Sequence, residues 1–170
     1  SYDLELFHVQ RVPAKEGSIR CFIQHDNGPN KVSSSVAETI AYEESIGMDR
    51  KDRHSSIVSF ITEIKSKLHS LLDSEVEQGK TVAAFGTSTG ATTFSFNYDL
   101  GKILSFFVDD DPYRHYLVSP VLHIPVLPSN TIYERKPDYV IILAPLYADI
   151  IMKKNQQYLE QGGTFVKIWP

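Results

Sequence analysis

Residues 81–90 read Thr-Val-Ala-Ala-Phe-Gly-Thr-Ser-Thr-Gly, a short apolar run followed directly by a turn that two glycines bound. A continuous apolar run of this length is typical of a strand that is buried on both faces of a sheet. Residues 91–100, which come next, can form a helix. The order of strand, glycine turn and helix therefore predicts the first βα unit of a parallel sheet.

Four further apolar runs follow the first one, with helical patterns or loops between them. They occupy residues 103–108, 124–126, 139–143 and 164–168. Strands buried on both faces that alternate with such segments predict an α/β fold with a mostly parallel, doubly wound sheet and helices on both faces. The predicted architecture is therefore Rossmann-like.

The chain before residue 80 has a different pattern. Residues 4–11 and 18–24 are rich in β-forming residues and flank a turn, which predicts a β-hairpin. Further along, apolar residues recur at steps of three and four, which predicts a long amphipathic helix. These residues are Ile57, Ile61, Ile64, Leu68, Leu71, Leu72 and Val76. We expect residues 1–28 to be a hairpin extension and residues 29–170 to form the Rossmann-like domain.

Composition and charge exclude several classes of protein. The chain has 170 residues, of which 42% are hydrophobic and 22% charged, as in ordinary globular proteins. Its net charge of -4 offers no basic surface for nucleic acid. No apolar stretch reaches the roughly 20 residues of a membrane span, and the single Cys21 excludes an internal disulfide. We expect a cytoplasmic protein with no nucleic-acid or membrane partner, and, because it begins with serine, a piece of a longer polypeptide.

The turn after the first predicted strand carries the strongest local chemistry. Two glycines let the backbone turn sharply and approach a ligand, while hydroxyls and helix N-terminal amides can donate to an anion. The turn is neither a P-loop, because it lacks the lysine, nor a G-x-G-x-x-G fingerprint. A plain βα turn, which favours the same residue types, is the alternative. The candidate residues are Gly86, Thr87, Ser88, Thr89 and Gly90.

Three adjacent acidic residues, Asp109, Asp110 and Asp111, end the second predicted strand. An acidic residue roughly twenty positions after the glycine loop accepts hydrogen bonds from a ribose in doubly wound folds, so Asp109 is the ribose candidate. The alternative is an exposed turn with an Asx cap. Adjacent carboxylates diverge and the histidines are scattered, so we expect no metal site. Ser88 has the G-x-S-x-G spacing with Gly86 and Gly90, but the sequence supplies it with no base in an arguable position, which disfavours hydrolase chemistry.

The order of these motifs resembles that of the C-terminal domain of sugar-nucleotide C-methyltransferases, which use S-adenosylmethionine in deoxysugar pathways. The resemblance extends over nearly the whole chain. The family's segments are Pro-x-His-Gly-Gly-Ser-Leu-Arg, a glycine loop, Asp-x-x-Pro, Pro-Gly-x-His-Ile-Pro-Val, Pro-Asp-Tyr and Gly-Gly-x-Phe. In the same order, the similar segments here are residues 13–20, 86–90, 109–112, 120–126, 137–139 and 162–165.

Several positions depart from the family pattern. Thr89 stands where the family has a loop lysine, Ala91 where it has an asparagine, and Lys15 where it has the histidine before Gly-Gly. The aromatic-rich Trp-x-x-x-Asp-Glu run of the family is Pro-Leu-Tyr-Ala-Asp-Ile at residues 145–150. The family's zinc-binding cysteines, methyl-donor loop and Tyr-x-Glu-His catalytic segment have no counterpart in this sequence.

The resemblance implies the nucleotide-sugar-binding domain of a longer methyltransferase. The methyl donor S-adenosylmethionine and the catalytic base would lie on an upstream domain of the same polypeptide, so this chain would hold no catalytic residue and be inactive by itself. Because the crevice of an open α/β sheet lies where strand order reverses, we expect the phosphates at residues 86–90. Arg114 and His123 are candidates for additional charge or donors there, with plain surface positions as the alternative. The hairpin would pack on the upstream domain, which leaves Leu6 and Phe22 exposed in this chain.

Two other functions stay open at this point. The same loop and Asp109 suit a nucleotide- or dinucleotide-binding module of another class, with or without a redox cofactor. Alternatively, the departures at Thr89 and Ala91 suit an interaction or dimerisation domain whose loop has lost its ligand.

Overall fold

A computed structural model describes residues 3–14 and 17–168, and the chain divides into two compact units, Ser1–Val58 and Ser59–Pro170. The first unit contains strands β1 (Leu4–Val12) and β2 (Ser18–His25), helix α1 (Ser34–Ser45) and the start of helix α2 (Lys51–Glu77). Strands β1 and β2 pair antiparallel, which confirms the predicted hairpin. Lys15, which stands for a family histidine, lies outside the described residues.

Packing inside the first unit is closer than the sequence predicts. Leu6 and Phe22, expected to be exposed, are each half-buried. The Phe22 ring lies 6.2 Å from the Phe7 ring, and α1 packs against β1, where the Ser35 hydroxyl accepts a hydrogen bond from the amide of Val9. The expectation of full exposure was therefore wrong, and for Phe22 the reason is its packing against the rings of Phe7 and His8 within the hairpin. Among the large apolar side chains of strands β1 and β2, Leu4, Ile19 and Ile23 are exposed.

The second unit is an α/β domain. Within residues 59–168, five strands form a parallel sheet in the order β5-β4-β3-β6-β7. This order, with helices between strands, confirms the predicted Rossmann-like fold. The elements that follow α2 are β3 (Val82–Phe85), α3 (Thr89–Asn97), β4 (Leu104–Asp109), β5 (Val126–Pro128), α4 (Thr131–Arg135), β6 (Tyr139–Ile142), α5 (Ala148–Lys154), α6 (Gln156–Glu160) and β7 (Thr164–Lys167).

The sheet is covered on both faces, which explains the continuous apolar runs. Val82 and Ala84 of β3 pack in one cluster with residues of α2 and α3. Ala83 and Phe85, which point to the other face, pack in a second cluster with residues of α4, α5 and α6. Because successive side chains of a strand alternate between faces, a strand covered twice must be apolar at every position. No helix in the described residues is long and apolar enough to cross a membrane.

Two segments of the resemblance have structural explanations. Asp138, in Pro-Asp-Tyr, accepts hydrogen bonds from the Thr81 amide at 2.8 Å and the Lys80 ammonium at 2.9 Å, so it joins the amino ends of β3 and β6. In Gly-Gly-x-Phe, Gly162 has a positive φ of 94°. A Cβ on Gly163 would clash with the ring of the buried Tyr158. These residues therefore serve the fold.

Candidate functional site

The glycine loop lies where the direction of strand order reverses. From the central β3 the chain first builds β4 and β5 on one side, and later β6 and β7 on the other. The connections after β3 and β6 therefore leave the carboxyl edge of the sheet towards opposite faces, and doubly wound folds bind ligands in the crevice between such connections. Both connections meet at Gly86, where an added Cβ would lie 3.2 Å from the Cβ of Ala144. Gly86 also has a φ of 102°, a conformation that L side chains rarely adopt, so glycine is required there.

Ser88 ends the loop and caps helix α3. Its hydroxyl accepts a hydrogen bond from the Ala91 amide at 3.3 Å, and its carbonyl accepts one from the Thr92 amide at 3.0 Å. The other two amides of the first turn, those of Thr89 and Gly90, have no acceptor in the part of the chain that the structure describes. Thr89 and Gly90 are exposed, as is Ser88. The loop therefore presents two unpaired amides at the positive end of a helix dipole, an arrangement that suits an anion.

Asp109, the last residue of β4, is buried beside this loop with only 7% of its surface exposed. Its Oδ2 atom accepts hydrogen bonds from the Thr87 amide at 2.8 Å, the Thr87 hydroxyl at 2.6 Å and Nη1 of Arg114 at 3.1 Å. Its Oδ1 atom accepts from the Asp111 amide at 2.9 Å. Four donors of the chain thus converge on one carboxylate.

The charge of Asp109 is stabilised by these contacts. Burial favours the neutral form and acts to raise the pKa of Asp109, but the hydrogen bonds from Thr87 and Asp111 and the charge of Arg114 outweigh it. The pKa of Asp109 therefore lies below its ordinary value of 3.8. The carboxylate is ionised at neutral pH.

The lowered pKa of Asp109 predicts how stability depends on pH. A group whose pKa is lower in the folded state stabilises that state above its ordinary pKa, and this contribution is lost as the pH falls through the folded value. The difference in unfolding free energy between the parent and Asp109→Asn is therefore expected to be constant above about pH 5 and to shrink below about pH 4. Urea unfolding of both proteins at several pH values measures it. A difference that is the same at all pH values would contradict the expectation.

The three adjacent aspartates have different contacts. Asp110 binds Lys154, with 2.9 Å between the carboxylate and the ammonium. Asp111 caps the 3-10 turn Pro112–Arg114 by accepting from the Tyr113 amide, as the Asx-cap alternative predicts, and also contacts Nε of Arg114 at 3.2 Å. In residues 3–14 and 17–168, no group of three or more His, Cys, Asp or Glu side chains is arranged to hold a metal ion.

The structure brings most of the predicted site residues together, but not all of them. Gly86 to Gly90, Asp109 and Arg114 lie at the carboxyl edge of the sheet. His123 does not, because it precedes β5 and lies near the amino end of β4, where Leu122 approaches Gly101. The predicted third strand at residues 124–126 begins at Val126 instead, because Pro125 pairs with Val118 in an antiparallel bridge.

Two neighbours of the loop were missed by the sequence analysis. Ala144 contacts the loop because β6 pairs in parallel with β3, so that the residues that follow the two strands lie side by side, and nothing in its local sequence indicates this. His115 donates from Nε2 to the carbonyl oxygen of Asp109 at 2.8 Å, which supports the end of β4. The sequence indicates this contact only weakly, because His115 lies six residues after Asp109 and only a tight turn brings the two residues together.

The sheet order, the glycine loop and the buried acid at the end of β4 define a Rossmann-like α/β domain. A family model of the C-methyltransferase C-terminal domain matches residues 13–170, and the chain belongs to this family. The match includes β2 and α1 as well as the sheet.

A curated relative and a solved structure show what the chain is similar to. C-methyltransferase NovU of Streptomyces niveus is 26% identical over 167 residues, which are 98% of this chain and 40% of the relative. The chain thus spans two fifths of that protein's length. The crystal structure of UDP-D-quinovosamine 4-dehydrogenase from Vibrio fischeri superposes with a TM-score of 0.40 and 17% identity, over 52% of this chain and 76% of that one.

Proposed function

We propose that this chain is the nucleotide-sugar-binding domain of a longer C-methyltransferase that acts on a deoxysugar nucleotide. Membership of the C-methyltransferase C-terminal domain family is the observation that carries the proposal. The printed name of the Streptomyces relative, a C-methyltransferase 2.5 times the length of its matched part, supports the same reading. The longer protein would be cytoplasmic.

The proposed ligand site is the carboxyl edge of the sheet around the glycine loop. Phosphate oxygens would accept from the unpaired amides of Thr89 and Gly90 and from the exposed hydroxyls of the loop. Arg114 lies at the same edge, but it contacts two carboxylates, which compensate its charge. Because Thr89 replaces the lysine of the family pattern, the loop also lacks the positive charge that a lysine ammonium would place beside the phosphates. We therefore propose weak binding of the phosphates by this chain.

The chemistry of methyl transfer is assigned to an upstream domain of the same polypeptide. Transfer to carbon requires an acidified C–H bond beside a keto group and a base that removes the proton. The methyl donor S-adenosylmethionine and that base would both lie on the upstream domain. Two domains can then hold the two substrates across a cleft, which turns a reaction between free molecules into a positioned one.

A thermal-shift series tests the ligand site. Thymidine, uridine, cytidine and guanosine diphosphates are each added to the parent chain, and at least one is expected to raise its melting temperature, because binding to the folded state alone stabilises it. Gly90→Val should abolish the shift, because its branched side chain covers the amides. The variant should still fold, since a Cβ on Gly90 comes no closer than 3.7 Å to any described atom outside its immediate neighbours.

Thr93→Val is the matched control for Gly90→Val. It places the same side chain on helix α3, at an exposed residue one turn beyond the two amides. Its ligand-dependent shift should equal that of the parent. If no diphosphate raises the melting temperature, or if Gly90→Val responds like the parent, the loop is only a turn and the interaction-domain alternative gains support.

A further inference from the structure

We propose that Asp109 is a positioning residue for the glycine loop, and that it orients Thr87 without receiving the ribose hydroxyls of the ligand. This inference rests on the proposed function, since it assigns a role within the same phosphate-binding loop. It differs from the ribose role that the sequence predicts for an acid at the end of the second strand of the sheet.

The first argument is that the carboxylate already accepts four hydrogen bonds from the chain. An ionised carboxylate offers about four acceptor positions, two on each oxygen. Oδ2 accepts from the Thr87 amide, the Thr87 hydroxyl and the Arg114 guanidinium, and Oδ1 accepts from the Asp111 amide. The side chain is also largely shielded from solvent. A ribose hydroxyl could therefore reach Oδ2 only by displacing a donor that the chain itself supplies, and the shielding limits its access to Oδ1.

The second argument is what these bonds hold in place. Thr87 lies between Gly86, which is confined by Ala144, and Ser88, which caps helix α3. Asp109 binds both the amide and the hydroxyl of Thr87, so it fixes the orientation of that residue by two bonds to one oxygen. The amides of Thr89 and Gly90 come next in the chain, and the conformation of the loop at Thr87 sets the direction in which they face the solvent. Asp109 thereby orients the phosphate-binding amides through Thr87.

The third argument is electrostatic. A free carboxylate beside a phosphate site would repel the ligand. Here the charge of Asp109 is compensated by Arg114 at 3.1 Å, and Arg114 also contacts Asp111 at 3.2 Å. The acid can thus stay ionised near a bound anion while it holds the loop.

Calorimetric titration with three probes separates the positioning role from the ribose role. The probes are uridine diphosphate, its 2′,3′-dideoxy analogue and inorganic pyrophosphate. If Asp109 positions the loop, Asp109→Asn weakens the binding of all three by a similar factor of about ten or more, since it loses charge-assisted hydrogen bonds. If Asp109 instead binds the ribose, the variant weakens uridine diphosphate and leaves the dideoxy analogue and pyrophosphate unaffected, which would overturn the proposal.

Three further variants complete the series. Asp110→Asn is the matched control, because the adjacent Asp110 binds Lys154 and not the loop; it should bind all probes like the parent. Thr87→Val removes one of the two donors while Asp109 stays. The third variant combines Asp109→Asn with Thr87→Val. If Asp109 acts through Thr87, this double variant should bind the probes no more weakly than Asp109→Asn alone, whereas additive losses of affinity would contradict the proposed route.

Hydrogen exchange gives a readout that needs no ligand. The amide of Thr87 should exchange at least about tenfold faster in Asp109→Asn than in the parent or in Asp110→Asn, because the variant loses the charged acceptor of that amide. Unchanged exchange in Asp109→Asn would overturn the positioning role. If no probe binds the parent, the proposed function fails by itself, and the exchange experiment still decides the role of Asp109.

Discussion

Replacing Leu72 by alanine is expected to lower the free energy of unfolding by about 2–5 kcal/mol, the largest effect that we predict for a single residue. Leu72 lies on α2, has 0% of its surface exposed and packs in the same cluster as Ala84 and Phe107 of the sheet. Truncation removes buried methyl groups and leaves a cavity, because close-packed neighbours relax only in part. Urea unfolding followed by circular dichroism measures the change.

Leu71 provides the control for this prediction. It is the adjacent residue of the same helix, carries the same side chain and is 47% exposed. Leu71→Ala is expected to cost about 1 kcal/mol or less, since nearly half of the side chain already faces water. Equal losses for the two variants would mean that α2 does not cover the sheet with the face that contains Leu72.

Gly163→Ala is expected to destabilise the chain by about 2 kcal/mol or more. The added methyl group would overlap the ring of Tyr158, which is 2% exposed and cannot move without disturbing its neighbours. The Tyr158 hydroxyl donates to the carbonyl oxygen of Pro137 at 2.7 Å, and its ring lies 4.9 Å from that of Phe165. Displacement of the ring therefore breaks a buried hydrogen bond as well as the packing. Thermal and urea unfolding measure the loss.

The same substitution at Gly90 is the control for Gly163→Ala. Gly90 is in the first turn of α3, and a Cβ there would meet its nearest neighbour at 3.7 Å, an ordinary contact. Gly90→Ala is expected to leave stability unchanged or to raise it by up to about 1 kcal/mol, because alanine favours helix more than glycine does. A Gly163→Ala variant as stable as Gly90→Ala would show that Tyr158 can move freely.

The class of fold could be predicted from the apolar runs because burial on both faces leaves a direct mark on the sequence. Strand β3 was predicted at residues 81–85 and is Val82–Phe85, and β6 was predicted at residues 139–143 and is Tyr139–Ile142. The third strand was displaced, because its start depends on a bridge between Pro125 and Val118. Such pairing has no periodic signature in the sequence.

The candidate site was predictable where chemistry is local and unpredictable where the sheet order decides. A glycine turn after a buried strand predicts a capped helix and free amides, and Ser88 and α3 have that arrangement. His123 was grouped with this loop as a candidate donor, yet it precedes its strand and so lies at the other edge of the sheet. The glycine loop follows its strand, whereas His123 precedes its own. The sequence shows this difference only when the ends of both strands are predicted correctly.

The sequence by itself determined the α/β class, the buried strands, the long helix and the glycine loop with amides that suit an anion. Each of these depends on residues that are adjacent in the chain or repeated at a fixed period. Only the tertiary structure decided that Ala144 confines Gly86 and that the carboxylate of Asp109 is taken up by Thr87, Asp111 and Arg114. These contacts join separate loops across neighbouring strands. They follow from the order in which strands lie side by side, and sheet order is set by the packing of the whole domain.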